Sequence, residues 1–242
     1  MEGVYKIAEH TVRIRSIYPD VHRMCVDYVT GEPPEYCINI SEGDLAFERS
    51  MAAKSDPMAA KYRDGYLETL AVYRKLVNTL LSDEIVLFHG SVVAVDHAAY
   101  LFTAKSGTGK STHTRLWVQR FGPRAIMVND DKPLLKISEN GVIAYGTPWN
   151  GKHRLGANIS VPLEAVCILE RGKTNEIRQI TFREAMPMLM QQIYRPADID
   201  GMQKTIRLCE SIGTTVRLYR LKCTMDPEAA EVAYHGMTEG KS

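Results

Sequence analysis

One stretch of the chain, LFTAKSGTGKSTHTRLW from Leu101 to Trp117, constrains the fold most strongly. The apolar run AYLFTA is typical of a strand and STHTRLWVQRF of a helix, with a glycine-spaced turn between them. The spacing Ala104-x4-Gly109-Lys110-Ser111 fits the phosphate-binding loop, or Walker A pattern, with alanine where glycine is commoner. The strand-turn-helix context is the one in which that loop occurs. The alternative is a chance match in a strand-turn-helix connection.

Each residue type in this turn suits phosphate binding. Gly107 and Gly109 permit backbone conformations in which successive N–H groups converge on phosphate oxygens, and the following helix adds its positive dipole end. Lys110 is expected to reach the β- and γ-phosphates and the Ser111 hydroxyl to ligate magnesium. The predicted nucleotide-binding residues are Lys105, Ser106, Gly107, Thr108, Gly109, Lys110, Ser111 and Thr112.

Two adjacent carboxylates follow a short apolar strand after this turn. The segment AIMVNDD places Asp130 and Asp131 at the exit of the strand, at the edge where sites of α/β proteins form. One carboxylate can hold magnesium, and the second can accept a hydroxyl proton as an acceptor attacks the γ-phosphate. An ordinary ATPase needs only the first. The alternative is a solvated Asp-Asp turn before Lys132-Pro133.

Two further features suit a phosphate site. His89 follows an apolar strand and precedes a glycine, where an imidazole can neutralise phosphate or serve as a packed or capping residue. The turn-rich segment GTPWNGKHRLGAN contains Lys152, His153 and Arg154, and cations on such loops can clamp a transferring phosphoryl group. The alternative is an exposed basic loop. The remaining histidines are interpreted as structural or solvated.

The N-terminal third has a different pattern of apolar and polar residues. Residues 1 to about 54 alternate apolar and polar side chains in short bursts, which predicts a small antiparallel sheet. From about Pro57 to Leu81, apolar residues recur at three- and four-residue steps, which predicts an amphipathic helix. We therefore expect a β-rich N-terminal lobe plus linking helix over residues 1–81 and a core over residues 82–242.

The core is predicted to mix strands and helices. IVLFHGSVVAV and AYLFTA indicate strands joined by a turn at Asp96-His97, and PLLKISENGVIAYG a hairpin around Asn140-Gly141. LEAVCILERG and TVRLYRLKC indicate strands, and ITFREAMPMLMQQIY a helix containing Pro187. A final helix is predicted to begin with Asp226 as N-cap and Pro227 at its first position. The fold class is therefore α/β.

Composition limits the partners. Of 242 residues, 45% are apolar and 24% charged, which is ordinary globular composition. Thirty basic and twenty-nine acidic residues give a net charge of +1, so neither nucleic acid nor a membrane is expected as partner. The N-terminus has no signal-like pattern and no apolar run is long enough to span a membrane, so a cytoplasmic location is expected. The five scattered cysteines predict reduced thiols in or near the core.

Together these residues resemble a known family. FHGSVVAVDHAAYLFTAKSGTGKST followed by MVNDD is similar to the catalytic core of HPr kinase/phosphorylase and, more distantly, of ATP-dependent phosphoenolpyruvate carboxykinase. In that superfamily a histidine-bearing strand, a strand into the phosphate loop and an Asp-Asp strand end occur in this order. The clear match covers Phe88 to Lys132. The resemblance implies a P-loop core with a mixed sheet.

The resemblance also implies roles for individual residues. Lys110 would contact the β- and γ-phosphates of ATP, while Ser111 and Asp131 would hold Mg²⁺. Asp130 would be the base facing the acceptor hydroxyl, with the reverse order of the two aspartates left open, and His89 would lie near the transferred phosphate. Members of the family assemble, so a homo-oligomer is compatible with the resemblance. The candidate catalytic residues are Asp130, His89, Lys110 and, from the basic loop, Arg154.

The segment after the two aspartates differs from HPr kinase/phosphorylase, where it ends in a Glu-Val/Ile-Arg-Gly motif. The nearest counterpart here is WNGKHRLG, which lacks that glutamate, so the resemblance does not extend to the HPr substrate or the phosphorylase reaction. The prediction is an ATP- and Mg²⁺-dependent kinase that transfers the γ-phosphate to a hydroxyl, expected to be that of a serine, of a peptide, protein or small molecule. The alternatives are an ATP-binding regulatory module without phosphate transfer and a carboxykinase-like enzyme.

Overall fold

The computed structural model describes residues 1–151 and 153–239. The chain forms two compact units, Met1–Ser82 and Asp83–Ser242. Within the described residues, the first unit contains a three-stranded sheet and the second a nine-stranded sheet, and both contain helices. The protein is therefore mixed α/β, as the sequence predicts. The predicted division into an N-terminal domain over residues 1–81 and a core domain over residues 82–242 stays a prediction.

The N-terminal unit contains more helix than the sequence predicts. Its strands and α-helices are β1 (Glu2–Ile7), β2 (His10–Arg15), α1 (Asp20–Met24), β3 (Tyr36–Asn39), α2 (Glu42–Ser55) and α3 (Asp64–Leu80). Strands β1 and β2 are antiparallel, but β2 and β3 are parallel, so the prediction of an all-antiparallel sheet was wrong. The cause is the long connection through α1, which returns the chain in the same direction.

Helix α2 lies in a region that was expected to be strand. The Asp44 carboxylate accepts a hydrogen bond from the Ser41 backbone N–H at 3.0 Å, which is one half of a capping box at the helix start. The expectation of a β-rich lobe is corrected accordingly. The predicted amphipathic helix is confirmed as α3, although it begins at Asp64, and it buries Leu67, Leu76 and Leu80.

The C-terminal unit is built on one mixed sheet. Its strands and α-helices are β4 (Ile85–Leu87), β5 (Ser91–Val95), β6 (Ala98–Thr103), α4 (Lys110–Phe121), β7 (Ala125–Asn129), β8 (Leu134–Ser138), β9 (Gly141–Tyr145), β10 (Ser160–Arg171), β11 (Glu176–Gln179), α5 (Phe182–Gln192), α6 (Ile199–Thr215), β12 (Arg217–Cys223) and α7 (Glu228–Thr238). The strand order is β4-β8-β9-β10-β6-β5-β7, with β12 beside β10 and β11 beside β12.

The long strand β10 joins the parts of this sheet. Its first residues pair antiparallel with β9, whereas its later residues pair parallel with both β6 and β12. The carboxyl ends of β6, β10 and β12 therefore meet at one edge of the sheet. That edge is where ligands bind in open α/β sheets.

The two predicted hairpin turns are confirmed. Asp96 and His97 have φ values of +49° and +66° and connect the antiparallel strands β5 and β6, which is the pattern of a type I′ turn. Strands β8 and β9 are also antiparallel and register Ser138 opposite Gly141, where φ is +124°. Both turns are local, which is why the sequence predicts them.

Three features of the C-terminal segment differ from or confirm the sequence predictions. Helix α6 was not predicted. Helix α7 begins at Glu228 after Pro227, and the Asp226 carboxylate accepts a hydrogen bond from Thr224 Oγ1 at 2.7 Å, so the predicted N-cap role of Asp226 was wrong. Helix α5 contains Pro187 as predicted, and the Thr181 side chain caps it by accepting from the Glu184 N–H.

The core of the C-terminal unit includes an aromatic cluster between the sheet and helices α4 and α7. Trp117 is fully buried and packs against Tyr100 and Phe102, with ring centroids 4.9 and 5.2 Å away. All five cysteines are free, and four are buried or partly buried, but Cys37 on β3 is exposed and is therefore not a core thiol. No helix in the described ranges combines the length and apolar character needed to cross a bilayer.

Candidate functional site

The glycine turn connects β6 to α4 as the sequence predicts. Gly107 has φ +76° and Gly109 has φ +122°, a region that residues with a β-carbon rarely adopt. A β-carbon built at either glycine would meet no atom within 4 Å. The two glycines are therefore required by backbone conformation, and the space beside them is open to a ligand.

The first turn of α4 presents uncapped backbone donors. Gly109 precedes the helix and supplies no side-chain cap, so the N–H groups at the helix start have no capping side chain to accept from them. Residues 105–107 are exposed, and Ser111 and Thr112 are partly buried in the first helical turn. A helix start of this kind attracts anions through its N–H groups and its dipole.

The Lys110 side chain extends back toward the start of the glycine turn. Its Nζ donates a hydrogen bond to the Ala104 carbonyl oxygen at 3.2 Å, and Ala104 itself is fully buried in the core. Burial lowers the pKa of Lys110, while the negative charge of Asp131 acts in the opposite direction. The structure thus places the Lys110 ammonium group within electrostatic range of Asp131.

The turn that carries the two aspartates is held by Asn129, which the sequence analysis did not identify. Asn129 is fully buried, and its Oδ1 accepts hydrogen bonds from the N–H groups of Asp131 and Lys132 at 2.9 and 2.7 Å. Its Nδ2 donates to Thr147 Oγ1 at 3.0 Å. Asparagine favours turns because its side chain can accept a hydrogen bond from the backbone two residues further on. The asparagine in the segment VNDD could therefore have been recognised from the sequence as the residue that holds this turn.

Asp131 is surrounded by positive or polarised groups. His89 Nε2 lies 3.3 Å from its Oδ1, and Lys132 Nζ lies 3.7 Å from its Oδ2. Burial acts to raise the pKa of Asp131, but the His89 hydrogen bond and the charges of Lys132, His89 and Lys110 outweigh it and lower the pKa. Asp131 is therefore held as a carboxylate.

Asp130 is in the opposite situation. Its side chain is 3% exposed, and the Gly151 backbone N–H donates to its Oδ1. Burial raises its pKa; the Gly151 N–H opposes this, the negative charge of Asp131 adds to it, and His153 acts weakly against it. Neighbouring carboxylates whose pKa values move in opposite directions are suited to different roles in acid–base chemistry.

His89 is anchored at the exit of β4. Its N–H donates to the Gln192 carbonyl at 2.8 Å, and its carbonyl accepts from Thr103 Oγ1, at the last residue of β6, at 3.1 Å. The next residue, Gly90, donates its N–H to the Asp131 carbonyl at 3.0 Å. These bonds bring the histidine-bearing segment, the end of β6 and the aspartate turn to one place.

The two described residues of the basic loop, His153 and Arg154, contribute less than the sequence suggests. The Arg154 side chain is exposed, its backbone has φ +49°, and within residues 1–151 and 153–239 it forms no ion pair with either aspartate. Of these two residues, His153 acts on Asp130, where its charge opposes the raised pKa. Lys152 lies outside the described residues. In this structure, Arg154 is therefore not part of the cluster that contains Lys110, His89 and the aspartates.

A cleft of about 570 Å³ borders the glycine turn. It is lined by Gly107–Gly109, by Thr112, His113 and Leu116 of α4, by the end of β10 with Gly172, and by Cys223–Met225 at the end of β12. Arg171, the last residue of β10, donates from Nη2 to the Gly107 carbonyl at 2.7 Å. The cleft thus lies at the shared carboxyl edge of the parallel strands, next to the turn.

A metal ion at this site would have few protein ligands. Across the described part of the chain, no group of three or more His, Cys, Asp or Glu side chains is arranged to hold a metal ion. Mg²⁺ characteristically binds through one or two carboxylates together with substrate phosphates and water. The oxygen ligands predicted here, the Ser111 hydroxyl and the Asp131 carboxylate, fit that mode, since Asp131 is held ionised.

Comparison with known proteins gives a distant similarity. No family model matches the chain, and no curated protein matches it. Among solved structures, the chain is similar to the Hpr(Ser) kinase/phosphatase from Coxiella burnetii, with a TM-score of 0.34 and 12% sequence identity. The similarity covers 61% of this chain and 91% of that chain.

Proposed function

We propose that this protein is an ATP- and Mg²⁺-dependent phosphotransferase that moves the γ-phosphate of ATP to a hydroxyl group. The observation that carries the proposal is the pair of adjacent carboxylates in different surroundings: Asp130 is buried and accepts from the Gly151 N–H, whereas Asp131 contacts His89 and lies in electrostatic range of Lys110. A protein that only binds or hydrolyses a nucleotide needs one carboxylate, which holds the metal ion. A second, less acidic carboxylate supplies a proton acceptor for an attacking hydroxyl.

The proposed roles follow from the positions of the residues. The N–H groups from Gly107 to Ser111 and the Lys110 ammonium group bind the phosphates, because they form an open, positively polarised turn. Ser111 and Asp131 hold Mg²⁺, which neutralises the phosphate charge when bound. His89 keeps Asp131 ionised and lies beside the transferred group.

Asp130 is the proposed base. The acceptor O–H transfers its proton to the Asp130 carboxylate as the acceptor oxygen bonds to the γ-phosphorus. The bond from that phosphorus to the β,γ-bridging oxygen breaks, and ADP leaves with the electron pair. Burial of Asp130 raises its pKa and so makes it a better proton acceptor than a solvated carboxylate.

The proposed acceptor is a hydroxyl-bearing peptide, protein or small molecule, with serine as the first candidate. A screen with [γ-³²P]ATP and Mg²⁺ over serine and threonine peptides and free hydroxylated metabolites tests the proposal. The expected result is an acid-stable phosphate ester that forms with the wild-type protein and not with Lys110→Ala. ATP binding without phosphate transfer to any tested acceptor would instead support a regulatory module.

A carboxykinase-like reaction is the remaining alternative, and a direct assay separates it from the proposal. Oxaloacetate and ATP are incubated with the wild-type protein, and carbon dioxide release is followed. The proposed phosphotransferase releases none, whereas decarboxylation that depends on Lys110 would replace the proposal with the alternative.

A further inference from the structure

The outward face of helix α6 carries apolar side chains that remain exposed. The residues that α6 buries in the core are Thr205, Leu208, Cys209 and Ile212. On the opposite side Ile199 is 76% exposed, and Ile206, which lies seven residues further along the chain, is 40% exposed. Residues seven apart lie on the same face of a helix. The two isoleucines therefore form an exposed apolar row along α6.

Helix α5 extends this row into a patch. The two helices are antiparallel, because a β-carbon built at Gly213, near the end of α6, would meet the ring of Phe182 at the start of α5. Met186 lies one turn after Phe182 and is 45% exposed, and the half-buried Met202 lies on the α6 face that carries Gly213. Both methionines therefore border the line of contact between the helices, beside Ile206. A contiguous apolar patch of this kind marks an interaction site, and methionine adapts readily to a partner.

Two charged residues flank the apolar row on its other side. Asp200 and Arg207 are exposed, and among the residues that the structure describes neither side chain forms an ion pair. Lys204, four residues after Asp200, is the usual position for a partner within the helix, but its Nζ lies 2.7 Å from Glu84 Oε1. Both charges of the flank are therefore available to a partner molecule.

This pattern is complementary to itself when a second α6 packs antiparallel against the first. A two-fold axis near the exposed Gln203 places residues at equal distances before and after it side by side. Ile199 then lies beside the partner's Ile206, and Asp200 lies beside the partner's Arg207. The symmetry repeats each contact, so two apolar and two oppositely charged pairs form. Parallel helices in register would instead bring like charges together.

We propose that the α6 face binds a second copy of this chain, with the two α6 helices antiparallel across a two-fold axis at Gln203. The α6 face consists of Ile199, Asp200, Gln203, Ile206 and Arg207. A second copy supplies the matching order of charges by symmetry, whereas another protein would need to carry that order independently. The inference does not depend on nucleotide binding or phosphate transfer. The contact is small, so we expect a dissociation constant of about 1–100 μM.

Exchange of the two charges tests the pairing. Sedimentation equilibrium measures the dissociation constant at protein concentrations from about 1 to 500 μM. Asp200→Arg and Arg207→Asp each place like charges together twice, so each should raise the dissociation constant about tenfold or more. The double variant restores opposite charges and should dimerise about as tightly as the wild type. Glu139→Arg, which makes the same charge change at an exposed turn, is the matched control and should not affect the dimer.

Disulfide cross-linking tests the position of the two-fold axis. The exposed Cys37 is first replaced by serine so that it cannot link two chains. In that background Gln203→Cys should form a covalent dimer when diamide is added as oxidant, because the axis brings the two thiols together. Thr214→Cys is the control, since it is exposed on the same helix but its two copies would lie about 33 Å apart.

Each result supports or overturns the inference. A wild type that remains a monomer at about 500 μM would overturn it and leave the α6 face to a different partner. A dimer that neither charge reversal weakens, or that Thr214→Cys cross-links as readily as Gln203→Cys, would place the interface elsewhere. Circular dichroism shows whether each charge variant keeps the helical content of the wild type. If one of them does not fold, the cross-linking of Gln203→Cys decides the question.

Discussion

The imidazole of His89 and the carboxylate of Asp131 form a contact of 3.3 Å between Nε2 and Oδ1. His89 belongs to the segment after β4, and Asp131 to the turn after β7. Burial alone would raise the pKa of Asp131, and the contact with His89 is the leading cause of its net lowering. The pair thereby keeps a half-buried carboxylate charged beside the glycine turn.

Replacing His89 tests this relationship. In His89→Ala the hydrogen bond and charge of the imidazole are lost while burial remains, so the pKa of Asp131 should rise. Carboxyl ¹³C NMR titration measures it, with Asp131→Asn for assignment and His235→Ala, an exposed histidine on α7, as control. An Asp131 pKa that is the same in His89→Ala and in the wild type would contradict this account of its ionisation.

Lys110→Ala should weaken the binding of Mg²⁺-ATP by about 10- to 100-fold, because a charge-assisted contact to the phosphates is lost. Lys54→Ala, which removes an exposed lysine of α2, is the matched control and should bind as the wild type does. Equilibrium binding by calorimetry distinguishes the two. Equal affinities of Lys110→Ala and Lys54→Ala would show that phosphate does not bind at this turn.

Asn129→Ala should lower the free energy of unfolding by about 2 kcal/mol, because it removes a fully buried side chain and leaves two half-buried N–H groups without their acceptor. The same change frees the aspartate turn and should reduce phosphate transfer. Asn78→Ala on α3 removes an exposed amide and should change stability by less than about 0.5 kcal/mol. Urea denaturation followed by tryptophan fluorescence measures the unfolding free energies of both variants. An Asn129→Ala protein as stable as the wild type would exclude a structural role for the Asn129 amide.

Residue patterns that act locally were sufficient to predict much of the C-terminal unit. The Asp96-His97 and Asn140-Gly141 turns and the glycine turn before α4 depend on neighbouring residues, and each occurs where the sequence indicates. The parallel pairing of β3 was not predictable, because pairing depends on how a long connection folds back. An alternation of apolar and polar residues predicts a strand, but it does not tell whether that strand pairs parallel or antiparallel with its neighbour.

The candidate site likewise combines features that local sequence predicts with features that depend on the fold. Adjacent aspartates after a strand are visible in the sequence, but their different environments depend on distant residues. Gly151, which donates to Asp130, lies 21 residues further along the chain, and Thr147, which holds Asn129, lies 18 residues further. Arg154 was expected at the site because of its charge, yet its side chain is exposed. A positive charge in the sequence does not by itself predict that a loop side chain contacts the site.

The pH dependence of stability should report on His113. Burial lowers its pKa from 6.5 to about 4, so between these values the unfolded chain binds a proton that the folded chain does not. Stability from this group is fully present above pH 6.5 and decreases by about 3 kcal/mol as the pH falls toward 4. His113→Gln does not titrate there.

The difference between the unfolding free energies of wild type and His113→Gln, measured in urea at pH 7 and at pH 4.5, isolates this contribution from that of the carboxylates. We expect the wild type to lose more stability than the variant over this interval. Parallel pH profiles for the two proteins would contradict a buried, neutral His113.

The most direct test of the proposed phosphotransferase compares Asp130→Asn with Asp131→Asn. In Asp130→Asn the side-chain amide oxygen can still accept from the Gly151 N–H, so the turn should persist while the proton acceptor is lost. At saturating Mg²⁺-[γ-³²P]ATP, Asp130→Asn should transfer phosphate to a hydroxyl acceptor about 10²- to 10⁴-fold more slowly, with ATP affinity near that of the wild type. Asp131→Asn should instead weaken Mg²⁺-dependent ATP binding. Full transfer activity in Asp130→Asn would contradict the account.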